Sequence, residues 1–185
     1  MAEMGAPQLE ASGKRCPALV IMVGAPGSGK SFLGRTISVA LGARLLQTDA
    51  VRKEMFPEPR YSSDEAAAVY AVCHRRIAAE LAHGASVVFD GTNLREHRRQ
   101  ILYHLAAQAR AALVIVVAYA SESTVRERLR QRAEGVDPQD QSDATWQVYQ
   151  RMRRDAEPVP RPHIMVNTAV DPAPVIRLLR RELGR

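Results

Sequence analysis

This chain of 185 residues is poor in cysteine, in aromatic residues and in long apolar runs, and each shortage narrows what it can be. Its two cysteines, Cys16 and Cys73, have neither the spacing of a metal site nor the density of a disulfide framework. A reducing interior, hence the cytoplasm, is the expected location. Aromatics make up 5% of the chain with a single tryptophan, too few to interleave with basic residues as a stacking platform for single-stranded bases. The longest apolar run, Ala111 to Ala120, is about half of the roughly 20 residues that cross a bilayer, so it reads as a buried strand. No Asn-Lys-x-Asp guanine motif occurs, which argues against a GTPase. The opening residues, Met1 to Arg15, mix Gly, Pro, Gln and Glu without the apolar stretch of a secretory leader. Residues 1–16 are expected to be a tail and residues 17–185 one domain.

The net charge is +6, and it is uneven: residues 1–90 carry 10 basic and 9 acidic side chains, residues 91–185 carry 16 and 11. A basic second half attracts polyanions, but many of these arginines stand beside acidic residues at helical spacing and read as solvated faces. The five histidines, His74, His83, His97, His104 and His163, show no metal spacing.

Apolar runs alternate with helical patterns, the signature of a parallel sheet with helices on both faces. Strands are expected at Ala18 to Val23, Ala43 to Thr48, Ser86 to Phe89, Ala112 to Tyr119 and His163 to Val166. Ser62 with Glu65 reads as a capping box ahead of a helix over Ala66 to Ala82, closed by Gly84. Asn93 with Glu96 reads as another, opening a helix to about Arg110. A helix from about Ser123 to Arg132 precedes a polar stretch, Ala133 to Gln141, expected to be a mobile loop. The next helix starts near Ser142, carries Trp146 and Tyr149 as packing residues, and ends before Pro158, Pro160 and Pro162. A last helix runs from about Pro174 to Leu183.

Gly24-Ala25-Pro26-Gly27-Ser28-Gly29-Lys30-Ser31 matches G-x-x-x-x-G-K-[ST] in full, between an apolar strand and a helical segment. Glycines let the backbone aim successive N–H groups at phosphate oxygens, and the helix starting near Lys30 adds its positive dipole end. Lys30, expected to face solvent when ligand is absent, should reach the β- and γ-phosphates, and the Ser31 hydroxyl should ligate Mg²⁺. Phe32, next in the chain, joins the nucleotide-contacting set.

Strands of a parallel sheet end at one edge, so Asp49, after the second strand, and Asp90, after the third, should face the γ-phosphate together. Either carboxylate can take the proton of an acceptor hydroxyl, leaving the other for Mg²⁺ or the acceptor. Their structural alternatives are a helix N-cap at Asp49 and a turn residue at Asp90. Arg52 either points at an anionic acceptor or pairs with Glu54 or Glu58 on the surface. Arg128 and Arg132, four apart, share one helix face that can cover ATP; Arg126 and Arg130 repeat the spacing on the next face.

Together, Gly24 to Ser31, Thr48-Asp49-x-x-Arg52, Val87 to Asn93, Arg128-x-x-x-Arg132, Ser142 to Thr145 and Glu157-Pro158 resemble the small P-loop kinases: polynucleotide 5′-hydroxyl kinases, zeta-toxin-like and gluconokinase-like enzymes, and kinase domains labelled AAA-family ATPase. The resemblance covers about residues 18 to 160. It implies a single P-loop NTP hydrolase domain, a five-stranded parallel sheet of nucleoside-kinase-like form with a short lid. It also implies that Asp49 is the general base, that Arg52 and Asp90 handle the acceptor, and that Arg128 and Arg132 belong to the lid over ATP. A remodelling AAA+ machine does not fit, since Gly91 follows Asp90 where a catalytic glutamate would stand. The expected function is an ATP- and Mg²⁺-dependent kinase acting on a hydroxyl, of a small molecule or alternatively of a polynucleotide 5′ end; a nucleotide-dependent regulatory module is the reading from another class.

Overall fold

The computed structural model of the chain describes residues 16–134 and 144–185. The tail at Met1 to Arg15, most of the expected mobile loop and the Ser142-Asp143 pair lie outside these residues. The central strand, β1 (Ala18–Val23), is buried along its whole length. Leu19, Ile21 and Val23 enter one apolar cluster and Val20 and Met22 the other, so β1 reads as an unbroken apolar run because both its faces are covered. Around it the chain builds α1 (Lys30–Leu41), β2 (Arg44–Gln47), α2 (Thr48–Met55), α3 (Ser63–Ala82), β3 (Val87–Asp90), α4 (Glu96–Gln108), β4 (Ala112–Tyr119), α5 (Glu122–Ala133), α6 (Trp146–Arg154), β5 (Ile164–Asn167) and α7 (Ala173–Glu182).

The five strands lie in the order β2-β3-β1-β4-β5, and every pairing is parallel. Strands two and three go to one side of β1, four and five to the other, which makes the carboxyl end of β1 the switch point where such sheets open a crevice. The register puts Met22, Asp90 and Gln47 side by side. The chain segments leaving β1, β2 and β3 therefore start level with one another.

Two expected helix starts differ from the sequence reading. Asn93 does not cap α4: its φ is 47°, its amide donates to the carbonyl of Met22 at 2.8 Å, and α4 begins at Glu96. The orphan N–H of Glu96 is taken instead by Glu157 Oε2 at 2.6 Å, a cap supplied from 61 positions away in sequence. That N–H, and after it Arg95, hold the Glu157 carboxyl below its ordinary range. The second difference is α6, which starts at Trp146 with Thr145 as its cap, later than Ser142. At α3 the capping box is half formed. Ser62 Oγ accepts from the N–H of Glu65 at 3.1 Å, but the Glu65 carboxylate serves Arg60, Tyr61 and Arg52.

Arg99, on α4, has 0% exposure. It donates to Glu96 at 2.8 Å, to the carbonyl of Asn93 at 2.9 Å and to those of Glu157 and Pro158. One guanidinium thus pins the loop after β3 to the segment after α6. Removing it would strand buried carbonyls and the Glu96 carboxylate. Arg99→Met is expected to lower the unfolding free energy by about 3 kcal/mol in urea denaturation, whereas Arg95→Met, whose side chain is 46% exposed, should cost less than about 1 kcal/mol. Equal losses from the two would show that Arg99 is no hub.

Candidate functional site

Between β1 and α1 the loop of Gly24 to Ser31 turns on two left-handed glycines, Gly27 with φ 75° and Gly29 with φ 80°. Helix α5 lies over it, tightly enough that a Cβ on Gly27 would meet Val125 Cγ1 at 2.9 Å. Val125 and Leu129 share a small apolar cluster with Tyr149. Trp146 stacks on Tyr149 with ring centroids 4.9 Å apart, so this pair packs, as the sequence suggested.

Lys30 does not face solvent. It is buried at 9% exposure, and its Nζ stands 3.8 Å from Asp90 Oδ1. The reason is the register: Asp90 ends β3 level with Met22 of β1, and the lysine opening α1 lies against that end. Asp90 Oδ2 accepts from Gln47 Nε2 at 2.9 Å, while Oδ1 is buried without a hydrogen-bond partner among the described residues. Asp90 is thus an ion-pair partner rather than a turn residue.

Asp49 lies in the first turn of α2, whose N-cap position is Gln47, so Asp49 is not the cap either. Burial raises its carboxyl above the ordinary aspartate range. Lys30 opposes that rise, Asp90 adds to it, and Arg52 and Arg132 oppose it further. Lys30, Asp90, Arg52 and Arg132 are thus all within electrostatic reach of this one carboxylate.

Arg52 is buried at 7% exposure and pairs with Glu65 at 3.4 Å, not with Glu54, which takes Arg76 instead. Its guanidinium lies 4.8 Å above the ring of Tyr61. Of the two arginine pairs on α5, Arg126 stacks on Trp146 and Arg130 pairs with Glu127 and Glu134, both on the solvated face. Arg128 turns to the phosphate loop: it donates to the hydroxyl of Thr168 at 2.8 Å, to its carbonyl at 2.9 Å and to the carbonyl of Gly27 at 3.4 Å. Phe32 projects outward at 60% exposure.

Gln47, Glu65 and Thr168 were missed by the sequence reading. Thr168 directly succeeds β5, and the rule that found Asp49 and Asp90, inspecting the residues at the carboxyl end of each strand, would have reached it. Glu65 reads in sequence only as the capping-box partner of Ser62, because its bond to Arg52 is invisible there. A cleft of about 500 Å³ adjoins the loop, lined by Gly24, Ala25 and Ser28 together with Leu94, Tyr149 and Met165. Neither Asp49 nor Asp90 lines it.

The residues fit Mg²⁺. Asp90 Oδ1, which accepts no hydrogen bond among the described residues, is a hard oxygen beside the loop, and Ser31 offers a hydroxyl one position after Lys30. Such an ion takes one or two protein oxygens and the rest from phosphate and water.

Residues 19–159 match the family described as AAA domain, and the chain belongs to it. An uncharacterized protein of Mycobacterium tuberculosis strain H37Rv is 32% identical over 142 residues, which is 70% of this chain and 28% of that protein. The chain therefore spans about a quarter of the curated relatives it matches. Among solved structures, a candidate kinase from Chloroflexus aurantiacus superposes with a TM-score of 0.74 at 22% identity, over 90% of this chain and 98% of that one. A gluconokinase from Sinorhizobium meliloti 1021 gives 0.63 at 25% identity, over 92% and 94%. The APS kinase of M. tuberculosis, solved with AMPPNP and APS, gives 0.68 at 14% identity, over 92% and 99%. The fold is that of the small P-loop kinases. No helix among the described residues is long and apolar enough to cross a membrane.

The site has two consequences for stability. Lys30→Ala removes the cation that stands 3.8 Å from the buried Asp90 and is expected to lower the unfolding free energy by about 1–3 kcal/mol, part of which Asp90→Asn in the same chain should restore. A loss unaffected by the second change would show that the two side chains do not interact. Asp49 carries the opposite sign. A carboxyl whose folded value is raised contributes stability below its unfolded value and loses it as pH rises through the folded one. Asp49→Asn should therefore have the higher melting temperature at pH 7.5, with the gap to the parent closing toward pH 4. A gap that widens on acidification would overturn the assigned direction.

Proposed function

We propose that the protein is an ATP- and Mg²⁺-dependent phosphotransferase that moves the γ-phosphoryl group onto a hydroxyl of a small molecule. The observation that carries this reading is the convergence of Lys30, Asp49 and Asp90 at the edge where the phosphate loop begins. A loop that only held nucleotide would not need a second carboxylate kept partly out of water beside it. In the gluconokinase-like and APS kinase-like neighbours the same fold supports transfer from a nucleotide to a small molecule, and the complex with AMPPNP supports ATP as donor.

Asp49 acts as the base. Burial raises its carboxyl, which brings its proton affinity nearer to neutral pH, where a base is most effective. It accepts the hydroxyl proton as the acceptor oxygen forms its bond to the γ-phosphorus, and the bond from that phosphorus to the bridging oxygen breaks, leaving ADP. Lys30, fixed by Asp90, places its charge on the β- and γ-phosphates. The backbone N–H groups of Gly24 to Ser31 and the start of α1 hold the remaining phosphate oxygens. Ser31 and Asp90 would hold Mg²⁺, which would supply neutralisation of the charge that builds on the phosphates. Arg132, whose charge reaches Asp49, faces the transferring group, and Arg52 orients the acceptor. An ATP-dependent enzyme with two free cysteines suits the cytoplasm.

A polynucleotide acceptor would draw on the basic second half, but several of its arginines are engaged within the chain. Arg99 is buried, Arg95 and Arg153 are paired with carboxylates, Arg161 covers Tyr103, and Arg180 and Arg185 bind carbonyls at the end of α1. This favours the small molecule.

The test incubates the protein with labelled ATP, Mg²⁺ and a panel of sugars, sugar acids, nucleosides, aminoglycosides and 5′-hydroxyl oligonucleotides. Labelling of a small molecule is expected, and Asp49→Asn should reduce it about a hundredfold or more while the affinity for ATP changes by less than about threefold. Salt-sensitive labelling of oligonucleotides alone would replace the acceptor class. Labelling of nothing, with slow ATP turnover, would leave a nucleotide-dependent regulatory module.

A further inference from the structure

We infer that Thr168 is a positioning residue of the nucleotide site, holding the phosphate loop in its binding form from behind. The inference rests on the nucleotide-site reading above and extends it to a residue outside the loop motif. Thr168 directly succeeds β5, and its backbone is anchored by its N–H donating to the carbonyl of Tyr119, at the end of β4, at 2.9 Å. From that fixed point its hydroxyl donates to the carbonyl of Ser28 at 2.6 Å and accepts from Arg128 Nη1 at 2.8 Å. A hydroxyl carries one proton, so the shorter bond to Ser28 takes it in preference to the carbonyl of Tyr119 at 3.3 Å.

These bonds matter because of the geometry of a trans peptide, in which the C=O and the next N–H point in opposite directions. The carbonyl of Ser28 and the N–H of Gly29 belong to one rigid plane. A partner on the carbonyl therefore sets the direction of the N–H, one of the donors that a phosphate loop aims at its ligand. Arg128 grips the unit before it: its Nη1 also reaches the carbonyl of Gly27 at 3.4 Å, which shares a plane with the N–H of Ser28, itself donated within the loop to the carbonyl of Ala25 at 3.2 Å. Thr168 fixes Arg128 through both its hydroxyl and its carbonyl. Two consecutive peptide planes of the loop are thus gripped on their carbonyl side by one threonine and the arginine it orients.

Gly29 shows how close the grip is. A Cβ there would fall 2.6 Å from Thr168 Oγ1 and 2.8 Å from Arg128 Nη1, so the glycine is needed for the clamp as well as for its φ of 80°. Arg128, engaged with carbonyls, therefore acts on the nucleotide through the loop. A loop held in place before ligand arrives loses less entropy on binding, which is where affinity is gained.

The experiment titrates methylanthraniloyl-ATP with Mg²⁺ into the parent, Thr168→Val and Thr168→Ser, with melting temperatures measured without ligand. Valine keeps the shape and removes both hydroxyl bonds, and about tenfold weaker binding is expected. Serine keeps the hydroxyl and should bind within about twofold of the parent. Arg128→Lys, which cannot reach both partners, should weaken binding by a similar factor, and the Thr168→Val, Arg128→Lys double variant should be no weaker than the worse single variant. The inference is overturned if valine binds within twofold of the parent, if serine is as weak as valine, if the two losses multiply, or if only the melting temperatures move. Absence of saturable binding by the parent is a separate result: it removes the nucleotide-site reading and the inference with it.

Discussion

The parallel alignment of β1, β2 and β3 is the constraint on which the site depends. Because all three strands run the same way and stay in register from Met22 through Asp90 to Gln47, the phosphate loop, Asp49 and Asp90 leave the sheet at the same height. A one-residue slip would turn Asp90 to the opposite face of the sheet and replace it by an apolar neighbour. The register is held by the side chains the strands bury. Val88 and Val20 belong to one apolar cluster, and Phe89 and Ile21 to the other, so slippage would expose a full set of side chains on each face.

Within that frame the site runs against stability, as functional sites commonly do. Asp49 is kept partly from water although its charge is thereby disfavoured, and Asp90 has one oxygen with a cation near it but no hydrogen bond. The surroundings make up the difference. Arg99 and Glu157 bind the loop after β3 to the chain leaving α6, and Asn93 ties the same loop to the carbonyl of Met22 at the end of β1. The carbonyl of Thr92 receives the N–H of Gly24 at 3.1 Å, so the loop that carries Asp90 is also bonded to the one that carries Lys30. Thr168 and Arg128 complete the support from the other side of the phosphate loop.

The arginines separate two kinds of role that composition merges. Arg130, paired with Glu127 and Glu134 on its own helix, fits the local spacing rule. Arg52 and Arg128 stand close in sequence to other basic side chains, yet their partners are Glu65 and Thr168, 13 and 40 positions away. Charge counting gives all of them the same weight; the fold gives each a separate partner.

Much of the protein was legible in the chain itself. The alternation of apolar runs and helical patterns located all five strands within a residue or two of their observed ends, most plainly β1, which is buried on both faces and apolar throughout. The phosphate loop could be read because glycine spacing is a backbone requirement, and Asp49 and Asp90 because they lie at the ends of strands that share one edge. The sequence could not supply the interactions between distant segments. Asn93 and Glu96 have the spacing of a capping box, but the cap on α4 comes from Glu157. Lys30 belongs to a motif read as open, but its neighbour Asp90 encloses it. Thr168 carries no motif at all and gains its place only when β5 lies beside β4. Local periodicity and backbone chemistry determined the elements and the loop, while burial and long-range hydrogen bonding, which depend on which strands become neighbours, were decided by the tertiary structure.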